Sequence, residues 1–375
     1  MKIAILMSGG IDSSFASYLL LKQGFNIIGI TFLQTGNSPK KDFLRAQKIA
    51  KTLSIPHFYF NIKNDFKKEV IVPFLEDFKN GKTPNPCPIC NKKIKLGLMM
   101  KKAKNLGADY IATGHYARKK QLATSDKQLV TYQLLKGKDK NKDQSYFLWM
   151  LSQRDLKKLI LPLGGFTKEE VWQGIENSPL KKFFQKNEYY KESQDVCFLS
   201  SPSAYTKDHS KAKLSDFLKR NLKTKPGPIL DKDGKIIGDH QGIHFFTIGQ
   251  RSGLHIGAKS PKQNPLYVVK IDKEKNAVIV GEEKDLYQKE ILIKDLHLIS
   301  GKEIQLPLRV KVKIRARHKA AAATILPLEK KFTGQSKNLK SNIYLIFDKP
   351  QRALAPGQHA VFYQRNILLG GGIIM

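Results

Sequence analysis

The sequence has few cysteines and no long apolar run. Three cysteines occur in 375 residues, an odd number that indicates a reducing compartment rather than a disulfide scaffold. These thiols are therefore expected to serve chemistry, metal binding or packing. The apolar stretch at the amino terminus breaks at Ser8, and no later segment has the length of a membrane span, so neither a signal peptide nor a membrane anchor is expected. We expect a cytoplasmic protein that makes no membrane contact.

Acidic residues are scarce relative to basic ones. Lys and Arg number 66 against 32 for Asp and Glu, which gives a formal net charge of +34. A surplus of this size favours a polyanionic partner, most simply nucleic acid, although a lysine-rich proteome gives the same count. With 41% hydrophobic residues, the chain can form the cores of two or three domains.

A strand, a small-residue turn and a helix are predicted at the start of the chain. Ile3 to Leu6 is a short apolar run, and apolar residues recur at helical spacing from Ser13 to Leu21. The turn between them contains Gly9 and Gly10, which permit backbone angles closed to other residues, and several serines. Backbone N–H groups can therefore converge at the helix N-terminus, where an anion such as phosphate would bind.

The string Ser-Gly-Gly-Ile-Asp-Ser resembles the pyrophosphate loop (PP-loop) of the ATP pyrophosphatases, which cleave ATP between its α and β phosphates and transfer AMP to a substrate oxygen. It lacks the lysine and spacing of a Walker A loop and is not a dinucleotide fingerprint. A plain capped turn is the alternative. Asp12 then contacts Mg²⁺ or the leaving group, or only caps the helix. The residues expected to bind ATP are Leu6, Met7, Ser8, Gly9, Gly10, Ile11, Asp12, Ser13, Phe32 and Gly114.

Strands and helices alternate after this loop. Strands are predicted at 26–31, 55–60 and 107–112, and helices at 41–53 and 66–78. This alternation predicts an α/β fold with a doubly wound parallel sheet whose ligand lies at the carboxyl ends of the strands. Phe32, just past the second strand, could stack on a base or belong to the core. Gly114, after the fourth strand, would permit close approach of an adenosine.

Two cysteines stand in a proline-rich loop with the sequence Thr83-Pro84-Asn85-Pro86-Cys87-Pro88-Ile89-Cys90. The prolines stiffen the loop, and the neighbouring lysines are expected to lower the thiol pKa values. Three interpretations are possible: half of a zinc site, a redox pair, or one reactive cysteine beside an incidental one. Zinc is disfavoured because the chain has no second pair of this kind, so no metal site is predicted. The lysines concerned are Lys82, Lys92, Lys93 and Lys95.

Two further segments carry polar residues that suit chemistry or binding. Cys197 lies close to a run of polar residues at 191–195, unlike a cysteine packed among aliphatic residues. Lys142, Asp143 and Gln144 end a basic loop that runs into an apolar segment, and this loop is either a solvated turn or a contact to phosphate. A composition change near residue 200 marks the end of the first domain. We predict domains at 1–200, 201–270 and 271–375, the second small and rich in hairpins and the third a β-barrel.

One strand of the last domain alternates cations with aliphatic residues over Arg309-Val310-Lys311-Val312-Lys313-Ile314-Arg315-Ala316-Arg317. Alternation at period two buries the aliphatic residues and places five cations on one face, spaced roughly 6.5–7 Å apart because a strand rises ~3.3 Å per residue. A row of one sign at that spacing favours a phosphate backbone over a merely soluble face.

These motifs together resemble the tRNA-specific 2-thiouridylases of the MnmA/TrmU type. The resemblance runs from the first strand to the terminal glycines and is most specific in the string Lys-Asp-Gln-Ser-Tyr-Phe-Leu at 142–148. Such enzymes replace O2 of wobble uridine 34 by sulfur in tRNAs for Lys, Glu and Gln. The resemblance implies ATP and Mg²⁺ as cofactors, tRNA as substrate, and a sulfur donor protein that is a cysteine desulfurase or a persulfide relay.

The resemblance also implies roles for individual residues. Cys197 would carry a persulfide and Cys90 would be the partner nucleophile, the two joining in a transient disulfide. The target base would lie against Asn85, Pro86 and Cys87. The rest of the tRNA would be contacted by Lys142, Asp143, Gln144, Arg315 and Ala316.

The sequence departs from the family pattern at two positions. Many members have Asp where Cys87 stands, so this residue could act as a thiolate, pair with Cys90 or share its role. Phe32 stands where a Met often contacts adenosine. Two alternatives remain: another ATP pyrophosphatase that adenylates a small molecule, such as an argininosuccinate- or GMP-synthetase-like enzyme, and a non-catalytic RNA-binding protein with a decayed nucleotide site.

Overall fold

The computed structural model describes residues 1–35, 40–122, 130–184, 196–199, 210–254, 256, 264–328 and 342–375. Its strands are β1 Lys2–Leu6, β2 Asn26–Leu33, β3 His57–Asn61, β4 Tyr110–Ala112, β5 Ala117–Leu122, β6 Thr131–Lys136, β7 Leu159–Ile160, β8 Gly227–Leu230, β9 Ile236–His240, β10 Tyr267–Asp272, β11 Ala277–Gly281, β12 Tyr287–Leu298, β13 Leu308–Lys313, β14 Ala321–Pro327, β15 Ile343–Arg352, β16 His359–Gln364 and β17 Ile367–Ile374. Its α-helices are α1 Ile11–Lys22, α2 Lys40–Thr52, α3 Lys63–Phe66, α4 Val72–Lys79, α5 Cys87–Ile89, α6 Met99–Asn105, α7 Gln153–Lys158, α8 Lys168–Glu176 and α9 Ser210–Asn221.

The first sheet is parallel and has the strand order β3-β2-β1-β4-β7. Alternate residues of β1 face opposite sides: Ile3 and Ile5 pack with α1 and α2, whereas Ala4 and Leu6 pack with the helices that follow β3. Both faces of the sheet are therefore covered by helices, which confirms the doubly wound prediction. The loops that follow β1, β2 and β4 lie at the same edge of the sheet.

Two helical stretches contain π-helical turns. The segment Lys67–Ile71 joins α3 to α4, so the helix predicted at 66–78 begins three residues earlier and runs to Lys79. The segment Cys90–Leu98 joins α5 to α6. Wider turns of this kind are frequent at functional sites.

The middle of the chain forms a small four-stranded sheet with the order β10-β11-β8-β9, in which β11 is parallel to β8. Its core contains Ile229, Val268 and Val278. The hairpin of β10 and β11 belongs to this sheet, so the sheet extends to Gly281, past the boundary expected at residue 270.

The last strands close into a six-stranded barrel with the order β12-β15-β14-β13-β16-β17, in which β12 also pairs with β17. Val310, Val312 and Ile314 are buried in its core, as the alternation predicted. Regular pairing of β13 ends at Lys313, and the remaining residues to Arg317 form a turn, although burial keeps alternating there.

The first domain contributes a hairpin to the barrel sheet, which the sequence analysis did not predict. Strands β5 and β6 pair with each other, and β6 pairs with β17 through Ile367 opposite Leu135. Leu134 consequently shares one core with Val361 and Leu368 of the barrel and with the helices beneath the parallel sheet. Among the residues that the structure describes, no helix is both long and apolar enough to cross a membrane.

Candidate functional site

The turn after β1 is held in a fixed shape by hydroxyl groups and glycines. The Ser13 hydroxyl donates to Gly10 O at 3.0 Å and accepts from Ser8 N at 3.2 Å. Gly9 has φ +77°, and a Cβ there would lie 2.2 Å from the backbone oxygen of Asp42, so only glycine fits. The helix that follows leaves its first N–H groups without intrahelical acceptors and directs its positive dipole end at the turn.

Arg45 of α2 holds this turn from outside. Its Nε donates to Gly9 O at 2.5 Å, and its terminal nitrogen lies 2.6 Å from Asp42 Oδ1. Burial raises the pKa of the Asp42 carboxyl, and the Arg45 guanidinium opposes that rise. The guanidinium thus links the start of α2 to the loop predicted to bind phosphate.

Asp12 contacts a lysine and a tyrosine that lie far away in the sequence. Its Oδ1 is 2.6 Å from Lys168 Nζ and accepts from the Tyr116 hydroxyl at 2.7 Å. The second loop of the edge lies close by, since a Cβ on Gly114 would stand 3.0 Å from the backbone nitrogen of Ser13. Gly114 therefore makes room for the first turn of α1.

Phe32 and His115 lie near the ends of their strands at the same edge. Phe32 is the last residue but one of β2 and is half-buried against the core beneath the sheet. The His115 ring pairs with the Thr113 hydroxyl at 2.8 Å, and burial, aided by the Lys95 charge, lowers its pKa well below the usual value. His115 is therefore neutral at pH 7.

The third cysteine lies at this edge too. Gln34, the residue after β2, donates its side-chain N–H to Cys197 Sγ at 3.7 Å. Because β2 is the neighbour of β1 in the sheet, this contact places Cys197 at the same edge as the glycine turn. Cys197 is exposed, whereas Cys87 and Cys90 are half-buried.

The barrel fixes the backbone of the loop that carries Cys87 and Cys90. Thr83 donates from its N–H to Pro356 O at 2.8 Å and accepts from Gln358 Nε2 at 2.7 Å. His359 Nε2 donates to Asn85 O at 2.9 Å, and Asn85 Oδ1 in turn accepts from Cys87 N at 3.1 Å. Burial lowers the pKa of His359 to about 4, so the ring is neutral and carries its proton on Nε2.

The pKa values of the thiols are raised, whereas the neighbouring lysines in the sequence predicted that they would be lowered. Burial raises the pKa of Cys87 to about 11 and that of Cys90 to about 12. Cys197 is exposed as a residue, but partial desolvation of its sulfur raises its pKa as well. The three cysteines are close enough that a thiolate on Cys197 raises the pKa of the other two. Lys95 opposes these shifts but does not reverse them, so all three are neutral thiols at pH 7 in the free protein.

The other lysines fail to lower the thiol pKa values because each has a carboxylate of its own. The pairs are Lys92 with Asp155 at 2.5 Å, Lys93 with Glu69 at 3.7 Å, and Lys82 with Asp77 at 3.2 Å. Their charges are compensated locally, and desolvation of the sulfurs then dominates.

The segment at 142–148 is built into the interior. Asp143 Oδ1 accepts from Gly137 N and Ser145 N, both at 3.1 Å, and its Oδ2 lies 3.6 Å from Lys313 Nζ of the barrel. Gln144 Oε1 accepts from Tyr116 N at 3.0 Å. Asp143 and Gln144 thus hold neighbouring elements in place, and their contact to tRNA stays a prediction, as does that of Lys142.

Arg309 and Lys313 of the basic strand have acidic partners, so its face carries less free charge than the alternation predicted. Arg309 forms two bonds to Asp348, at 2.6 and 2.7 Å, and Lys313 lies beside Asp143. Arg315 donates to the backbone oxygen of Arg352 at 3.1 Å, next to the half-buried Ala316. Burial and the Arg352 charge lower the pKa of Arg315, so the two guanidinium groups lie close together. Arg352 Nε also lies 3.3 Å from Glu283 Oε1, so Arg315 contributes most of the free charge of this cationic patch of Arg315 and Arg352.

Three family models cover almost the whole chain. A tRNA methyl transferase HUP domain matches residues 1–201, a tRNA methyl transferase PRC-barrel domain matches 215–282, and an aminomethyltransferase beta-barrel domain matches 288–374. The tRNA-specific 2-thiouridylase MnmA of Syntrophomonas wolfei is 40% identical over 375 residues, which is all of both chains. The chain belongs to the tRNA-specific 2-thiouridylase family.

A second 2-thiouridylase, from Halothermothrix orenii, is 39% identical and covers 100% of this chain and 98% of its own. Among solved structures, a 4-thiouridine synthetase in complex with RNA and bound ATP is 20% identical, with a TM-score of 0.35, over 58% of this chain and 50% of that one. A likeness at that TM-score supports no statement about the reaction.

The 2-thiouridylase fold brings together residues that the sequence analysis treated separately or passed over. Lys168, Tyr116, Arg45 and His359 were given no role. No local pattern could have found them, because each meets its partner across 36 to 274 positions of sequence. In the described part of the chain, no three His, Cys, Asp or Glu side chains form a group that could hold a metal ion.

Proposed function

We propose that this member of the 2-thiouridylase family converts the wobble uridine 34 of tRNAs for Lys, Glu and Gln to 2-thiouridine. The reaction would begin with transfer of AMP from ATP to O2 of the uridine, and sulfur from a Cys197 persulfide would then displace AMP. The contact of Gln34 with Cys197 carries this proposal, because it puts a thiol at the same sheet edge as the glycine turn that suits ATP.

The glycine turn supports binding of ATP at the first stage. The turn at Gly9 and the N-terminus of α1 offer backbone N–H donors to phosphate oxygens, and the serine hydroxyls hold the turn in shape. Mg²⁺ would accompany the nucleotide, held chiefly by phosphate oxygens and water, because Asp12 is the one carboxylate in the turn. Once O2 carries AMP, it can be displaced, because it departs as an oxygen of the AMP phosphate.

The three thiols support the second stage. The outer sulfur of a Cys197 persulfide attacks C2 and expels AMP, which leaves the base joined to Cys197 through a sulfur–sulfur bond. Cys90 then loses its proton and attacks the Cys197 sulfur of that bond, which releases 2-thiouridine and leaves a Cys90–Cys197 disulfide. Its raised pKa keeps Cys90 protonated and unreactive until the base occupies the site.

Cys87 differs chemically from the Asp that many family members have in its place. With a pKa raised to about 11 it is a neutral thiol at pH 7. It can therefore donate a proton, but it is not a general base, because it is not deprotonated at this pH. Asn85, Pro86 and Cys87 would contact the target base, on a backbone that the barrel holds in position.

The cationic patch supports tRNA as the partner. Replacing Arg315 by Gln is expected to weaken tRNA binding about tenfold at low salt and to reduce the slope of log K against log salt by about 1, for one lost phosphate contact. Filter binding across a salt series measures both quantities. Arg309→Gln is the matched control, because Arg309 is already neutralised by Asp348. Equal effects in the two variants would contradict the assignment of the patch.

The overall reaction is tested by incubating the protein with ATP, Mg²⁺, unmodified tRNA and a cysteine desulfurase, followed by nucleoside analysis. We expect 2-thiouridine at position 34, AMP and pyrophosphate. AMP release that depends on a small-molecule acceptor instead of tRNA would favour the alternative of another ATP pyrophosphatase. The sulfur donor would be a cysteine desulfurase or a persulfide relay of the cytoplasm.

A further inference from the structure

If the glycine turn binds ATP, no basic residue within the turn compensates the negative charge of the phosphates. The segment from Ser8 to Ser14 contains no Lys or Arg and one acid, Asp12. The β and γ phosphates of ATP bring several negative charges to this place, and a neighbouring carboxylate repels them. A cation from elsewhere in the chain must therefore reach the turn.

Two cations of the described residues contact the turn in the structure. Arg45 is bound to a backbone carbonyl and to Asp42, and both contacts tie α2 to the turn. Lys168 instead contacts the turn at a side chain, through the Asp12 carboxylate at 2.6 Å. Its ammonium group has three donors, and a carboxylate oxygen and a phosphate oxygen are equivalent acceptors for them.

Hydrogen bonds fix the backbone at Lys168. Lys168 is the first residue of α8, and a complete capping box between Thr167 and Glu170 fixes that end of the helix. The Lys168 N–H donates to Asp139 Oδ2 at 3.0 Å, which anchors the backbone a second time. The side chain is 14% exposed, so it is partly desolvated and its charge acts at short range.

We propose that Lys168 binds the β and γ phosphates of ATP and the pyrophosphate that leaves. In the free protein Asp12 holds the ammonium group in place, and with nucleotide bound the same group contacts the phosphate oxygens. When the bond between the α phosphorus and the bridging oxygen breaks, the charge that develops on pyrophosphate is neutralised by Lys168. This role rests on the proposed function and adds to it a residue that contacts the leaving group.

The test compares three ligands that differ in their phosphates. Lys168→Gln is expected to weaken binding of Mg²⁺–ATP and of inorganic pyrophosphate about tenfold to a hundredfold, the effect of losing one charge-assisted contact. AMP, which lacks the β and γ phosphates, is expected to bind the variant within about twofold of its affinity for the unaltered protein. Isothermal titration calorimetry on the full chain measures all three.

Two further variants keep the test decisive. Lys138→Gln is the matched control, because Lys138 pairs with Glu170 on the same helix, is half-exposed and does not contact the turn. Its ATP and AMP affinities are expected to match those of the unaltered protein. Lys168→Arg keeps the charge and is expected to recover most of the ATP affinity, which a fault in folding would not allow.

Three results would overturn the assignment of Lys168. They are equal losses of ATP and AMP affinity, no loss of either, and an Asp12→Asn/Lys168→Gln variant that binds pyrophosphate as well as the unaltered protein does. The last result would mean that Lys168 serves only to neutralise Asp12. Thiouridine formation by the unaltered protein is measured in parallel, and its absence would reject the proposed function itself, whatever the ligand affinities are.

Discussion

Replacing Cys197 by Ser is expected to abolish formation of 2-thiouridine, with a loss of at least about a thousandfold in turnover. A serine oxygen cannot carry the transferable sulfur, and the other thiols cannot replace it, because Cys87 and Cys90 are half-buried and Cys197 is exposed to a donor protein. Nucleoside analysis of tRNA after reaction measures the loss. ATP and tRNA affinities are expected to stay near those of the unaltered protein.

Cys90→Ser is expected to stop the reaction one step later. AMP is released once, but the base remains joined to Cys197 through sulfur, because no thiol attacks that bond. A covalent complex of protein and tRNA should therefore accumulate, and a small thiol should cleave it. Gel electrophoresis without reductant detects it.

The two variants control each other, since the complex is expected with Cys90→Ser and not with Cys197→Ser. Full activity in both would reject sulfur transfer through these residues. A covalent complex that forms with Cys197→Ser would show that the roles of Cys90 and Cys197 are reversed. Cys87→Ser tests the remaining thiol. If the Cys90→Ser variant still releases 2-thiouridine and the double variant Cys87→Ser/Cys90→Ser does not, Cys87 shares the role of Cys90.

The second large effect is expected from a single methyl group in the glycine turn. Gly9→Ala puts a Cβ 2.2 Å from the backbone oxygen of Asp42 at a φ of +77°. The positive φ alone costs about 1–2 kcal/mol, and relief of the clash must move the start of α2 away from the turn. We expect ATP affinity to fall at least about tenfold and the free energy of unfolding to fall by about 2–4 kcal/mol.

Gly10→Ala is the matched control for Gly9→Ala. Gly10 has φ −81° and ψ 161°, which any residue adopts, and a Cβ there would meet only the Ser8 hydroxyl, at 3.4 Å. Its chemical denaturation midpoint is expected to lie close to that of the unaltered protein, which isolates the effect of the positive φ and the clash at Gly9. If Gly9→Ala binds ATP as well as the unaltered protein does, the shape of this turn does not determine nucleotide binding.

Much of the fold followed from short-range patterns. Period-two burial was visible in Val310, Val312 and Ile314, and the strand, turn and helix at the amino terminus were visible in spacing alone. The hairpin of β5 and β6 was not, because its pairing with β17 joins Leu135 to Ile367, and nothing in either segment specifies the other.

Charge was the property that the sequence predicted least well. A lysine near a thiol in the sequence predicts a lowered pKa, yet Lys82, Lys92 and Lys93 each meet an acid from another part of the chain. Arg309 is neutralised in the same way by Asp348. Electrostatic effects depend on distance and burial in three dimensions, and sequence proximity gives neither.

The sequence by itself determined the family, the order of strands and helices, the glycine turn and the identity of the three cysteines. Only the tertiary structure decided that Gln34 meets Cys197, that Lys168 meets Asp12, and that His359 of the barrel holds the backbone at Asn85. The physical reason is the range of the interactions. Backbone conformation and periodic burial are set by neighbours within a few residues, whereas the site is assembled from loops that meet only after the sheet and the barrel have packed together.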